Sequence, residues 1–408
     1  MTDHKKTPVQ PSTDAPATSF AAPLAAKISK VASLATSLSQ AGQSSSDDVW
    51  REQLEDLLLG YLKAGRDDVL LEAIRAANEK GGQAAADEIR GRLERFVATR
   101  TLHNDAGKPF QMNLVAIPLV VLADDGFRST GELPVDATLE RLARSFQRYD
   151  IVSDAAQVGV LPYLYEAAEL DQLKYSDVHK LTLSVFHAIC GEDKDAASLA
   201  QSGWRLPGDD GPAAKGPRLF YVLAGVITTG DEVPFMVDPT TAQKAQDAYY
   251  GRLHDWSAAF GENCASLVGP ACPGVYTAWP GLFFEALELG AEHKRDVVFH
   301  LRATENLAGA TLEAHDARAM VQPYGIDGQL SEFRVTFVHV EDGKVKGGTS
   351  VFPGMPWNDY EADLEALQDC LEVLSLGEVE VASTMLDVSK LPPLLQTVAP
   401  EWAGHTVH

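Results

Sequence analysis

The run Met112–Ala123, MNLVAIPLVVLA, constrains this chain more than any other stretch. It is apolar throughout and of buried-strand length, so it predicts a strand at the centre of a sheet. A related run, Leu219–Ile227 (LFYVLAGVI), follows later, with a similar order of elements around it. The middle of the chain therefore reads as two related halves of one α/β body.

Composition sets the class. With 408 residues, 45% of them hydrophobic and 23% charged, the chain has the balance of a soluble globular protein of two or three domains. Its formal charge of −24 argues against an electrostatic footprint for nucleic acid or for an anionic membrane. The four cysteines carry no CxxC and no close Cys/His spacing, so they read as reduced thiols; Cys264 and Cys272 are near in sequence but read as free. Neither a membrane-span run nor a secretory apolar region is evident, which sets a cytoplasmic, bacterial-type expectation.

In chain order, residues 1–47 read as a disordered tail with a possible short helix at Leu24, Ile28, Val31, Leu34 and Leu38. Residues 48–100 read as a three-helix unit, opened by the stripe Val49, Trp50, Leu54, Leu57, Leu58, Tyr61 and Leu62. The first α/β half is placed at 111–200, with a helix carrying Leu139, Leu142, Ala143 and Phe146, and a second apolar segment at 158–165. Residues 181–189 read equally as a strand or a buried helix.

The second half is placed at 217–385. Its helix from about Thr241 is expected to start on a Thr240/Gln243 capping box and to bury Ala245, Tyr249, Leu253 and Trp256. The text Trp279–Leu289 parallels Leu161–Leu170 with one residue inserted, Pro280 meeting Pro162 and Leu282 meeting Leu164, which suggests an internal duplication. Alternation at 333–339, an Asp342-Gly343 turn and a return over 345–352 predict a hairpin. A helix capped within 358–361 and carrying Leu364, Leu367, Leu371 and Leu374 follows, then a short strand at 379–382 and a tail at 386–408. The predicted fold class is α+β: an N-terminal helical unit followed by two pseudo-duplicated α/β halves with mixed sheets.

Several pieces resemble one uncharacterised proteobacterial family, domain of unknown function 2863. They are Asp47-Asp-Val-Trp50 opening a helix, Asn113–Pro118, Val160–Tyr165 with Asp171-Gln-Leu173 behind it, Glu332–Val335, and Gly348–Pro353. The resemblance spans most of residues 28–385. It implies no activity, because none is assigned to the family.

Chemistry-bearing residues are sparse. His187 and Cys190 sit three apart inside an apolar run, where packing explains them. His293, His300 and His315, with Glu292, Asp296 and Asp316, form the densest set of ligand-type residues, but their spacing matches no compact metal motif. The acidic pairs at 124–125, 209–210 and 341–342 read as solvated turns. Neither GxxxxGK[ST], nor GxGxxG after a strand, nor GxSxG occurs. Tyr163, Tyr165, Tyr221, Phe283 and Phe284 fall in strand-like segments and could line a cleft between the halves.

The expectation is a non-catalytic binding or regulatory scaffold, with no cofactor and no metal, whose partner is a protein or a small molecule and which could self-associate. The alternative is an enzyme with a cryptic hydrolytic or metal-assisted site between the halves, using loop carboxylates or His293 and His300. The sequence assigns no catalytic residue.

Overall fold

The computed structural model describes residues 21–40, 45–103, 107, 109–123, 135–190, 216–229, 242–268, 274–339 and 345–387. These fall into two compact units, one drawn from 1–97 and 174–179, the other from 98–173 and 180–408.

The first unit is helical: α1 (Ala21–Gln40), α2 (Ser45–Lys63), α3 (Asp67–Gly81) and α4 (Gln83–Ala98). The weak stripe of α1 is enough for it to pack on α2 and α3, burying Val31 and Ala35, so the unit begins before residue 48. On α2 the face Leu54, Leu58 and Leu62 is buried, while Val49 at its start is exposed. Segment 174–179 is tied in by Asp67, whose carboxylate accepts the Ser176 amide at 2.9 Å and the Ser176 hydroxyl at 2.5 Å. A buried acceptor from α3 thereby satisfies a free N–H in the first turn of α7 (Tyr175–Cys190). That α7 is a helix settles the segment that periodicity left open.

The second unit is built on β2 (Pro109–Ala123), which pairs antiparallel along its whole length with β4 (Gly216–Thr229), from Phe110 opposite Thr229 to Ala123 opposite Gly216. The other edge of β2 takes β1 (Thr99–His103), then β6 (Gly281–Leu282), then β5 (Gly274–Thr277); β3 (Gln157–Glu166) lies outside β4 and runs into the single turn α6 (Ala167–Leu170). Alternate residues of β2 and β4 enter two different layers, which is why both strands are apolar without a break. Val115, Ile117, Leu119, Phe220, Val222 and Val226 meet α5 (Val135–Arg148) and α8 (Gln243–Val268) through Phe146, Trp256 and Phe260. The opposite face receives α7 and the first turns of α9 (Phe283–Gly309). Along α8, Leu253 and Trp256 are buried as expected and Ala245 is exposed; its Thr240 cap lies outside the described residues.

The pairing crosses between the two stretches read as halves. β3 pairs with β4, and β5 with β6 pair with β2. The β3 register shifts between Val160 and Leu164, the interval holding Pro162; β5 and β6 are separated by 278–280, the interval holding Pro280. A proline has no N–H for the ladder, so each interruption sits where pairing cannot be continuous.

Beyond α9 comes a mixed sheet of β7 (Ala317–Ile326), β8 (Gln329–His339), β9 (Val345–Pro353), β10 (Glu378–Val381) and β11 (Leu386–Asp387). β10 and β11 run parallel to β7; the β7–β8 and β8–β9 pairs are antiparallel, the latter forming the expected hairpin. The Asp342-Gly343 turn lies outside the described residues. α10 (Tyr360–Val373) and the second half of α9 cover one face, where Phe299, Phe333, Phe337, Phe352, Leu367 and Leu371 pack together. β7 is a strand beyond those expected, and its Pro323 falls in the gap between β10, which pairs with 318–321, and β11, which pairs with 324–325.

Candidate functional site

A cavity of about 660 Å³ opens between α8 and α9 beneath the β5 segment. Each helix contributes one stripe at helical spacing: His254, Ser257, Ala258 and Gly261 from α8, and Leu289, Glu292, His293 and Asp296 from α9. Gly261 permits the close approach that shapes it, because a Cβ there would stand 2.6 Å from Thr277 Oγ1 and 3.4 Å from the Val275 carbonyl oxygen.

Three residues of the lining each carry a buried polar atom with no hydrogen-bond partner among the described residues: Ser257 Oγ, Thr277 Oγ1 and His293 Nε2. The Ser257 residue is only 4% exposed. His293 bonds the backbone of Tyr276 through its other ring nitrogen, and burial, the larger influence, holds the imidazole below its usual range. In the neutral ring this assigns the proton to Nδ1, donated to the Tyr276 carbonyl, and leaves Nε2 as an acceptor.

The two carboxylates that α9 adds to the lining are each held by a neighbouring side chain. Glu292 Oε1 accepts from Trp357 Nε1 at 2.9 Å and from Asn358 Nδ2 at 3.2 Å. Asp296 Oδ1 accepts from Arg295 Nε at 2.9 Å. Burial raises the Asp296 carboxyl; Arg295 opposes that rise, and Glu292 and Asp363 add to it. Cys370 is pushed up to about 12, first by burial and then by Asp296, so this thiol is no nucleophile. At the rim, Tyr276 and Trp279 are exposed, and Trp279 stacks on Tyr250 with centroids 5.3 Å apart and planes 17° from parallel.

Of the residues singled out in the sequence, Glu292, His293 and Asp296 come together here, whereas His300 does not line the cavity. His315 lies exposed in a short 3₁₀ turn beside Asp316. Among the described residues, no group of three or more His, Cys, Asp or Glu side chains is placed to hold a metal ion. His187 packs edge-on against Phe186; the Cys190 side chain and the acidic pairs at 124–125, 209–210 and 341–342 lie outside the described residues.

The aromatic set is placed differently. Phe283 and Phe284 are not in a strand: they open α9, because the Glu-Ala-Leu-Glu-Leu text that follows favours helix. Phe283 is fully buried, edge-on to Phe284. Tyr221 is 1% exposed and donates its hydroxyl to the Leu287 carbonyl at 3.1 Å, docking α9 on β4; burial, then Asp171, keeps this phenol protonated. Tyr165 is half-buried opposite Tyr221 in the ladder. None of these four lines the α8–α9 cavity, and the Tyr163 side chain lies outside the described residues. The cavity itself is formed by residues 254–296, all within the stretch read as the second half. Ser257 and Thr277 carried no sequence signal, since a hydroxyl among helix or strand residues reads as ordinary surface.

A family model described as Protein of unknown function (DUF2863) matches residues 17–385, and the chain belongs to that family. No curated protein and no solved structure matches it.

Proposed function

We propose that this member of the DUF2863 family is a non-catalytic binding protein whose ligand is a small molecule seated between α8 and α9. The observation that supports the reading is a cavity of small-molecule size whose lining includes Ser257, Thr277 and His293, each carrying a buried polar atom with no hydrogen-bond partner among the described residues. Each such atom costs a folded chain about 1–3 kcal/mol, and a bound molecule offering hydrogen bonds would offset that cost. The size and the mix of apolar and polar wall are those of a small-molecule site.

Native mass spectrometry of the full chain purified from its own cells tests this. The expected result is a small organic molecule retained by the wild type and lost in Ala258→Trp, which fills the cavity. A bare chain in both, or a co-purifying protein in both, would replace the small molecule with a macromolecular partner.

A catalytic reading is favoured by one observation, that a neutral imidazole with a fixed tautomer shares the cavity with the unpartnered Ser257 hydroxyl. Labelling of Ser257 by a fluorophosphonate, abolished in His293→Gln, would make the site hydrolytic. An unlabelled Ser257 would leave binding as the function.

Two further parts of this reading concern the chain as a whole. The crossed pairing of β3 with β4 and of β5 and β6 with β2, each interrupted at a proline, supports an internal duplication. Aligning the two halves separately across family members tests it, and the absence of a shared pattern would remove it. The free thiols of Cys264 and Cys370 support a reducing, cytoplasmic location, which cell fractionation tests.

A further inference from the structure

We infer that the molecule this cavity takes is an organic cation, an amine carried on an apolar body. The inference rests on the binding reading above and adds the ligand's chemistry to it. Three observations converge.

The first is the polarity of the unpartnered atoms. Ser257 and Thr277 carry hydroxyl oxygens and His293 Nε2 a lone pair, so these lining side chains can accept from a donor-rich group. An ammonium group is donor only and matches such a wall.

The second is charge. The described lining carries the carboxylates of Glu262, Glu292 and Asp296 and contains no lysine or arginine. Arg295, which precedes Asp296, is turned to Asp363 at 2.6 Å as well as to Asp296, and is itself 3% exposed. An anionic ligand would meet three carboxylates without a lining cation to answer it, whereas an ammonium would offset their charge.

The third is the rim and the apolar wall. Tyr276, Trp279 and the Tyr250 ring stacked on Trp279 offer aromatic faces at the entrance, the surface that attracts an organic cation. Ala265, Val275 and Leu289 line the interior and suit a hydrocarbon body. A bare metal ion would use neither feature.

The test uses the full chain and saturation-transfer NMR with three probes on one body: phenethylamine, phenethyl alcohol and 3-phenylpropionate. The expected result is binding of the amine about tenfold tighter than of the alcohol, no binding of the acid, and loss of the signal in Ala258→Trp. Asp296→Asn and, as a second variant less exposed to folding defects, Glu292→Gln should each narrow the gap between amine and alcohol while leaving the alcohol unchanged. Equal binding of amine and alcohol, or preference for the acid, lost in Ala258→Trp, would overturn the cation and leave the binding site standing. Absence of any cavity-dependent binding would overturn both.

Discussion

Arg295 and Asp363 form an ion pair at 2.6 Å with side chains only 3% and 2% exposed, linking α9 to α10 directly behind the cavity wall. The pair is well answered on both sides. Asp363 also accepts from the Met355 amide at 3.0 Å and from Asn358 Nδ2 at 3.0 Å, and the Arg295 guanidinium lies 4.1 Å from the centre of the Phe352 ring. The same guanidinium holds Asp296, so the fold's anchor and the cavity's carboxylate share one cation.

Asp363→Ala leaves that guanidinium buried with one partner fewer. It is expected to destabilise the chain by about 3–5 kcal/mol, measured by urea unfolding. A loss under about 1 kcal/mol would mean that Asp296 alone satisfies Arg295.

Gly290 lets α9 sit directly on the central strands. A Cβ there would fall 2.4 Å from the Tyr221 hydroxyl and 2.9 Å from Pro118 Cβ, neither of them the end of a flexible chain. Gly290→Ala is expected to cost about 1–3 kcal/mol in the same assay despite the better helix propensity of alanine. A stabilised variant would show that α9 stands further from β4 than described.

These two contacts mark what the sequence could and could not disclose. β2 and β4 were legible as strands because burial on two faces leaves an unbroken apolar run. The β8–β9 hairpin was legible by alternation, and α10 by its Leu367 and Leu371 stripe and by Asp359, whose side chain does accept the Ala362 amide at 2.9 Å. The cavity was not legible, because nothing local reveals that α8 and α9 share a wall. His293 was visible only as one histidine among several, and its i, i+3 relation to Asp296 gained meaning once α9 was known to run unbroken from Phe283 to Gly309. The Phe283-Phe284 pair misled because aromatic preference for strands was read without the helical text that follows and overrides it.

Ser257→Ala separates a structural hydroxyl from a functional one. The Oγ has no partner to lose among the described residues, so the ligand-free variant should match or exceed the wild type in stability, within about 1 kcal/mol. Ligand retention in native mass spectrometry should nevertheless fall. Destabilisation well beyond that range would assign Ser257 to the packing of α8.

Acid should weaken the fold through His293. Its folded pKa lies below the ordinary 6.5, so as pH falls the unfolded chain takes up the proton first. Its contribution is present above 6.5 and is lost as pH falls from there through the folded value. Asp296 has the opposite sign: its carboxyl is raised, so protonation favours the folded state as pH falls toward 3.8. Urea titrations at about pH 7.5 and about pH 5.5 should therefore show an acid-side loss in the wild type that shrinks in His293→Gln and persists in Asp296→Asn. An unchanged loss in His293→Gln would place the titrating group elsewhere.

The most direct test of the binding account is a crystal structure of the chain purified from its own cells, with no ligand added. The account predicts density for an organic molecule between α8 and α9, within hydrogen-bond distance of Ser257 Oγ and His293 Nε2. A cavity closed by the chain's own side chains, with those two atoms bonded to protein, would contradict it.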